Sequence, residues 1–410
     1  MGSDETTSPD VARSPKAAEP ALRLVVCSDA FVPAEQEGGL PFAALGLCRA
    51  FREEGVDVRV VTTDRNGSDR LAVPVDRWSD RDGLPVWYAR SLPGPYYPAL
   101  SFSRALAAAG EVDCVLGSGT LWTHLGLVLW RTARKRGIPF LLYPQGLLDP
   151  WALAFKAVRK RLYWALVARR IVRAAHAVVA VSEAERRAVE AFGAARRIEV
   201  IPNGVRLQDF AAPPPREELD TWLPGLAGRG FVLFLGRVHE KKGADVLIEA
   251  LSRPALSDIG LVAVIAGPVD EGYRARYEGL VAESPARNRI VLAGPVTGSR
   301  KAGLLAHATA FVLPSQSEGL PVAALEALAS GCPTVLSPAC NLPEAVAAGA
   351  GLEVAPDPDL LARELGSLLG RAELRRSMSE KARALVGDRF DGRRVGALTV
   401  ALCRDVSNRR

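Results

Sequence analysis

The stretch from Phe311 to Leu336, FVLPSQSEGLPVAALEALASGCPTVL, constrains the fold more than any other part of the chain. Its apolar run Phe311-Val312-Leu313 is short enough for a buried strand. Pro314 stops that strand, and a small polar loop, Ser315-Gln316-Ser317, carries Glu318 and Gly319. Pro321 suits the first turn of a helix, where its missing N–H costs nothing. Helix formers run from Val322 to Ala329, Gly331 stands where the helix should end, and Pro333 forbids continuation. Thr334-Val335-Leu336 opens a second strand. The unit is strand–loop–helix–strand, with Glu318 at the mouth of the loop and Glu326 inside the helix.

Such units build doubly wound sheets that hold ligands at the carboxyl ends of parallel strands. N–H groups around Gly319 and Leu320 would point at a ligand, and a helix N-terminus favours an anion such as phosphate. Two acids do not suit that anion; carboxylates accept hydrogen bonds from sugar or ribose hydroxyls. The alternative is an ordinary βαβ unit with Glu318 solvated and Glu326 on an exposed helix face.

The rest of the chain repeats the alternation. Leu24 to Cys27 reads as a strand, Asp29 to Gly39 as a loop, Leu40 to Glu54 as a helix and Val58 to Val61 as the next strand. The pair Gly38-Gly39 either lets the backbone approach a ligand closely or marks a plain turn. No GxGxxG follows the first strand, which argues against a dinucleotide-binding enzyme. Thr62 to Ser103 reads as irregular, its Pro93-Gly94-Pro95-Tyr96-Tyr97 cluster a candidate acceptor loop. Further strands are expected at Val112 to Leu116, Phe140 to Tyr143 and Ala177 to Val181, with Gly117-Ser118-Gly119 a loop and His124 in the following helix. Ser182 to Glu185 opens a helix in capping-box fashion, and Asn203-Gly204 with Pro213 to Pro215 marks a linker.

A second unit begins with the apolar strand Phe231 to Leu235, followed by Gly236-Arg237 and, five residues on from the arginine, Lys242. Arg237 as a fork and Lys242 as a point charge would make a diphosphate clamp; a solvated basic loop is the other reading. Leu261 to Gly267 and Ile290 to Gly294 are strands, and helices should run from Leu360 to Val386 and from Arg393 to Val406.

Composition narrows the classes. A chain of 410 residues with 48% hydrophobic content accommodates two globular domains. Its net charge of +6 permits nucleotide phosphates or anionic lipid and does not demand nucleic acid. Six scattered cysteines and four separated histidines make a zinc site improbable and read as reduced, buried thiols in a cytoplasmic protein. Residues 1–21 read as a disordered tail, and no apolar run is long enough for a membrane span. From Phe155 to Ala175, Lys156, Arg159, Lys160, Arg161, Arg169, Arg170 and Arg173 stand among aromatic and aliphatic residues. That helix either lies on an anionic membrane or packs on the domain with a solvated basic face.

Glu318 and Glu326, with seven residues between them in SEGLPVAALEALASGCP, resemble the paired-glutamate signature of the retaining glycosyltransferases of family four, two-domain enzymes of GT-B architecture. Ile-Pro-Asn-Gly-Val (Ile201 to Val205) and Asn-Leu-Pro-Glu (Asn341 to Glu344) are similar to further segments of that family. So is Pro144 to Trp151, except that Gln145 stands at its basic position; Ser118 stands about where many relatives carry histidine, and His124 is the nearest histidine.

The resemblance implies α/β architecture with two Rossmann-like domains facing across a cleft. A tail (1–21) would precede an acceptor-side domain (22–205) and a nucleotide-sugar domain (206–388), and a last segment (389–410) would cross back to the first domain. It implies transfer of a hexose-type sugar, with retention and without a metal or other cofactor, from a nucleoside diphosphate sugar such as a UDP or GDP sugar. The acceptor would be a hydroxyl of a saccharide, a lipid-linked or a small-molecule compound. By the same resemblance Arg237 and Lys242 stabilise the leaving diphosphate and Glu318 lies near the sugar. Glu326 holds the ribose, and Gly38, Gly39, Gly236, Gly294, Gly319, Leu320 and Pro321 line the donor. Gln145, Ser118 and His124 are the acceptor-side candidates. A non-catalytic nucleotide-sugar-binding partner subunit and a sugar-nucleotide epimerase are the alternatives.

Overall fold

The computed structural model describes residues 21–93, 98–154, 157–226 and 228–409. Residues 1–20 of the expected tail, Gly94 to Tyr97 of the candidate acceptor loop, and Phe155 and Lys156 of the expected basic helix lie outside the described residues.

The first body is built on an eight-stranded sheet. Its strands are β1 (Arg23–Ser28), β2 (Asp57–Thr63), β5 (Trp78–Arg81), β6 (Leu84–Ala89), β7 (Cys114–Ser118), β8 (Phe140–Tyr143), β9 (Ala177–Ala180) and β10 (Ile198–Val200). A small antiparallel ladder, β3 (Arg65–Asn66) with β4 (Asp69–Arg70), stands apart. The order is β10-β9-β8-β7-β1-β2-β6-β5, parallel except for β5. The second body has six parallel strands: β11 (Phe231–Leu235), β12 (Val262–Ala266), β13 (Ile290–Gly294), β14 (Ala310–Leu313), β15 (Thr334–Leu336) and β16 (Gly351–Glu353), in the order β13-β12-β11-β14-β15-β16. The inner strands β7, β8, β9, β11, β12 and β14 are buried from end to end because helices cover both faces.

Strand order reverses beside β1 in one sheet and beside β11 in the other, and crevices open outside the carboxyl ends at such points. The loops after β1, β8, β11 and β14 therefore converge on the space between the bodies. The chain crosses between them twice, and the crossings run side by side: Val205 N–H donates to the Phe390 carbonyl at 2.9 Å and Gly392 N–H to the Val205 carbonyl at 2.9 Å. The final helix, Gly392–Asn408, packs on the helix Leu40–Glu53 and buries Val395, Val400, Cys403 and Val406 in the first body's core. At Gly396 a Cβ would lie 2.7 Å from that of Ala50, so the two helices touch where side chains are smallest.

The sequence reading misses structure in three places. The irregular Thr62-to-Ser103 stretch contains the hairpin β5–β6 on the sheet edge. Its turn, Asp82-Gly83, has positive φ at both residues, the signal that Asp-Gly gives for a tight hairpin turn. Ser118 is the last residue of β7, in register with Ser28 and Tyr143, and not part of a loop. The basic helix is continuous from Ala157 to Ala174 but widens into a π turn at Trp164–Ala168, where Trp164 turns inward to meet Phe192 at 4.5 Å. The six cysteines are buried and form no disulfide.

Candidate active site

After β11 the chain passes through Gly236 and Arg237 into the single turn Glu240–Lys242, capped by His239, whose Nδ1 accepts the Lys241 N–H at 3.2 Å. Gly243 closes that turn with φ +73, and a Cβ there would lie 2.1 Å from the Pro314 carbonyl oxygen. Only glycine lets the turn press against the loop after β14. This contact delivers Lys242 to Glu318, with Nζ 2.6 and 2.8 Å from the two carboxylate oxygens. Ser315 Oγ donates to Glu318 at 2.7 Å. Burial pushes the Glu318 carboxyl up, but Lys242, Lys241 and these hydrogen bonds outweigh it and hold it below the usual carboxylate range. Asn341, itself at φ +55, donates to the carbonyls of Glu318 at 2.7 Å and Gly319 at 3.2 Å from beneath.

Glu318-Gly319-Leu320 leads into the helix Val322–Ser330, whose N-terminus has no side-chain cap; Ala324 N–H donates to the Pro321 carbonyl at 3.0 Å, and the N–H groups before it face a ligand's approach. Pro321 is the residue before that helix, one place earlier than expected. The helix Leu40–Glu53 opens at Gly39, likewise without a side-chain cap. Gly38 faces Arg237: a Cβ on Gly38 would lie 3.9 Å from the arginine Cβ. Arg237 in turn lies 3.7 Å from Asp270. Gly236 follows β11 and Gly294 ends β13, the two strands that flank β12, and Gly267, just after β12, leaves no room for a side chain, its Cβ position being 2.0 Å from the Gly236 carbonyl oxygen.

Glu326 occupies a separate chamber. Its carboxylate pairs with Lys301 at 2.5 Å, and the Lys301 ammonium lies 5.0 Å from the ring of Phe42 in the other body. Both line a cleft of about 710 Å³ together with Gly46, Thr297, Gly298 and Val322. The paired glutamates are thus split, Glu318 by Lys242 and Glu326 by Lys301. Sequence reasoning missed Lys301, 25 residues upstream of its partner, because only tertiary folding brings the two together.

The first body meets this site through the loop after β8. Gly146 packs on Gly319 backbone to backbone, Ser317 Oγ donates to Asp149 at 2.7 Å, Ser182 Oγ to the Gly319 carbonyl at 3.2 Å, and Asn203 Nδ2 to the Leu320 carbonyl at 3.0 Å. Glu185, three residues on from the Ser182 cap of its helix, accepts the Gly146 N–H at 2.5 Å and the Val181 N–H at 2.7 Å. Gln145, at φ +56, exchanges amide hydrogen bonds with Asn203 at 3.2 and 3.3 Å. Gln145 and Ser118 line one small cavity of about 20 Å³, room for a water molecule. His124 is elsewhere. It begins the helix His124–Arg136, accepts the Ala99 N–H at 3.2 Å and packs on Phe102; burial, then Arg131, lowers its imidazole from the usual value. Trp151, the last residue of the Pro144-to-Trp151 segment, reaches across to His239 at 6.0 Å and lies 5.8 Å from the Lys241 ammonium.

A family model described as glycosyl transferases group 1 matches residues 224–385, and one described as Glycosyltransferase Family 4 matches residues 38–209. The chain belongs to the group 1 glycosyltransferases. A D-inositol 3-phosphate glycosyltransferase from Xylanimonas cellulosilytica is 27% identical over 384 residues, covering 88% of each chain. One of the same name from Nocardia farcinica is 30% identical over 238 residues, 56% of this chain; the matched stretch spans about half, 49%, of that protein. Among solved structures, the sucrose-phosphate synthase of Thermosynechococcus elongatus superposes with a TM-score of 0.77 at 21% identity, covering 95% of this chain and 100% of that one. Anabaena HepE in complex with UDP and glucose gives 0.74 at 18% identity, covering 94% and 100%. At those identities the likeness is one of fold: this group 1 glycosyltransferase has two Rossmann-like domains in the GT-B arrangement. No helix among its described residues is long and apolar enough to cross a membrane.

Proposed function

We propose that this glycosyltransferase moves a hexose-type sugar from a nucleoside diphosphate sugar to a hydroxyl of a small-molecule, saccharide or lipid-linked acceptor, with retention and without a metal. The observation that carries the reading is the Lys242–Glu318 pair beside two uncapped helix N-termini, with Arg237 opposite Gly38. A diphosphate entering there meets Arg237, Lys242 and the amides of Gly319 and Leu320. When the bond from the sugar anomeric carbon to the phosphate oxygen breaks, these groups carry the charge left on the nucleoside diphosphate. Two cations and two helix ends supply the stabilisation that a metal gives elsewhere. Lys242 then turns from Glu318 to the phosphate, freeing the carboxylate to accept hydrogen bonds from sugar hydroxyls, and Glu326 holds ribose in the outer chamber. UDP is the nucleotide to test first, because Anabaena HepE carries it in the same fold. The relatives' name makes a polyol phosphate the first acceptor to try.

Thermal-shift titration with UDP, GDP, ADP and TDP, followed by assays of donor hydrolysis and transfer, tests this. Binding to the native state raises Tm by mass action. A shift with one nucleotide, lost in Glu326→Ala and Arg237→Ala, is expected, with sugar released or transferred from the matching donor. A shift without hydrolysis or transfer identifies a non-catalytic binding subunit instead, and no shift with any nucleotide removes the donor site.

A further inference from the structure

Three of the large apolar side chains most exposed to solvent stand on one helix. Val158, Leu162 and Leu166 are 81%, 61% and 54% exposed, and four-residue spacing puts them on one face. Ala165, Arg169 and Arg173, all exposed, continue that face past the π turn, and Arg159, Arg161 and Arg170 flank it. Between Asp149 and Glu183 the sequence has no acid at all. Alongside the helix, Trp130, Arg134, Arg170, Arg173 and Arg196 border an open depression of about 650 Å³. Among the described residues Arg134, Arg169, Arg173 and Arg196 have no carboxylate partner. The inner face explains why the helix stays seated: Ala168, Ile171 and Val172 are buried, and Trp164 packs on Phe192.

A solvated basic face does not need a row of bare aliphatic side chains, and an aliphatic protein interface does not need uncompensated arginines. Nucleic acid would use the charge and leave Val158, Leu162 and Leu166 idle. A second copy of this chain would bring like charge against like charge. An anionic bilayer uses both features at once: acyl chains take the aliphatic row, and headgroup phosphates take the arginines.

We propose that the helix Ala157 to Ala174 lies flat on an anionic membrane, its Val158–Leu162–Leu166 row in the acyl boundary and the Arg134–Arg170–Arg173–Arg196 depression on lipid phosphates. Eighteen residues at about 1.5 Å each give a contact roughly 27 Å long. Each cation near such a surface multiplies partitioning about fivefold, and the attraction falls with salt.

Co-sedimentation of the full chain with vesicles tests this, comparing phosphatidylcholine alone with an equal mixture of phosphatidylcholine and phosphatidylglycerol. The protein should pellet with the mixture and not with phosphatidylcholine, and high salt should release it. Leu162→Gln/Leu166→Gln and Arg169→Glu/Arg173→Glu should each weaken binding at least tenfold while circular dichroism and Tm stay unchanged. Arg363→Glu/Arg376→Glu, the same charge change on exposed arginines of the second body, should bind like the parent. No pelleting with anionic vesicles, or equal loss in the Arg363/Arg376 variant, overturns the proposal. So does a concentration-dependent dimer that Leu162→Gln/Leu166→Gln abolishes.

Discussion

Gly146 and Gly319 meet across the interdomain cleft with no side chain between them: a Cβ on either would lie 3.0 Å from the other's amide nitrogen. The loop that carries Glu318 is therefore set by a backbone contact from the other domain as well as by its own strand. Gly146→Ala should force the loops apart and strain a φ of +81, costing about 1–3 kcal/mol and most of the transfer rate. Gly39→Ala is the contrast, since a Cβ there meets nothing within 4 Å. Chemical denaturation should find its stability unchanged, while KM for the donor rises.

Lys242 and Glu318 form a pair taken almost wholly out of water. Lys242→Met leaves a buried carboxylate without its paired cation, held only by Ser315 and the more distant Lys241, and should destabilise the fold by about 3 kcal/mol. Lys242→Met/Glu318→Gln should recover most of that loss yet remain inactive. Urea unfolding of the two single variants and the double variant, completed as a mutant cycle, measures the coupling. Additive stabilities would mean that the pair is not coupled in solution.

Lys241 sits under Trp151, and burial lowers its ammonium to about 8. Trp151→Ala admits water and should move that titration up toward the ordinary lysine value of 10.5. The pH dependence of the rate of Lys241 acetylation, read by mass spectrometry, reports it. An unmoved titration would show that the indole does not shield the amine.

Asp29 directly follows β1, with Thr123 Oγ1 donating to its carboxylate at 2.7 Å. Burial raises its carboxyl to about 7, partly offset by Thr123 and Arg65. Because the folded value lies above the unfolded one, the folded state binds more protons between the two. The stability this gives is full below the unfolded value of 3.8 and is lost as pH rises through about 7. Asp29→Asn should therefore raise Tm relative to the parent above pH 7, with the advantage shrinking on acidification. Scanning calorimetry across that range decides it.

Much of the architecture was legible because its signals are local. The apolar run of β14, Gly331 in the left-handed C-terminal position and Ser182 capping its helix each act within a few residues. The hairpin β5–β6 has its signal in Asp82-Gly83, which the sequence reading passed over because its strands do not alternate: β6 lies inside the sheet and is buried at five of its six residues, and β5 is a partly exposed edge strand.

By itself, the sequence determined the alternating βα order, the segments that carry Lys242, Glu318 and Glu326, and the family signature. What folding alone decided is which opposite charge each functional residue meets. Lys242 reaches Glu318 over 76 positions, Lys301 reaches Glu326 over 25, and Asn203 and Ser182 reach the Glu318 loop from the other domain. Nothing local encodes those pairings, because each joins elements that are neighbours in space and distant in the chain. The physical reason lies in the strand order: β11 beside β14, and the two sheets' carboxyl ends facing each other, turn separate loops into one site.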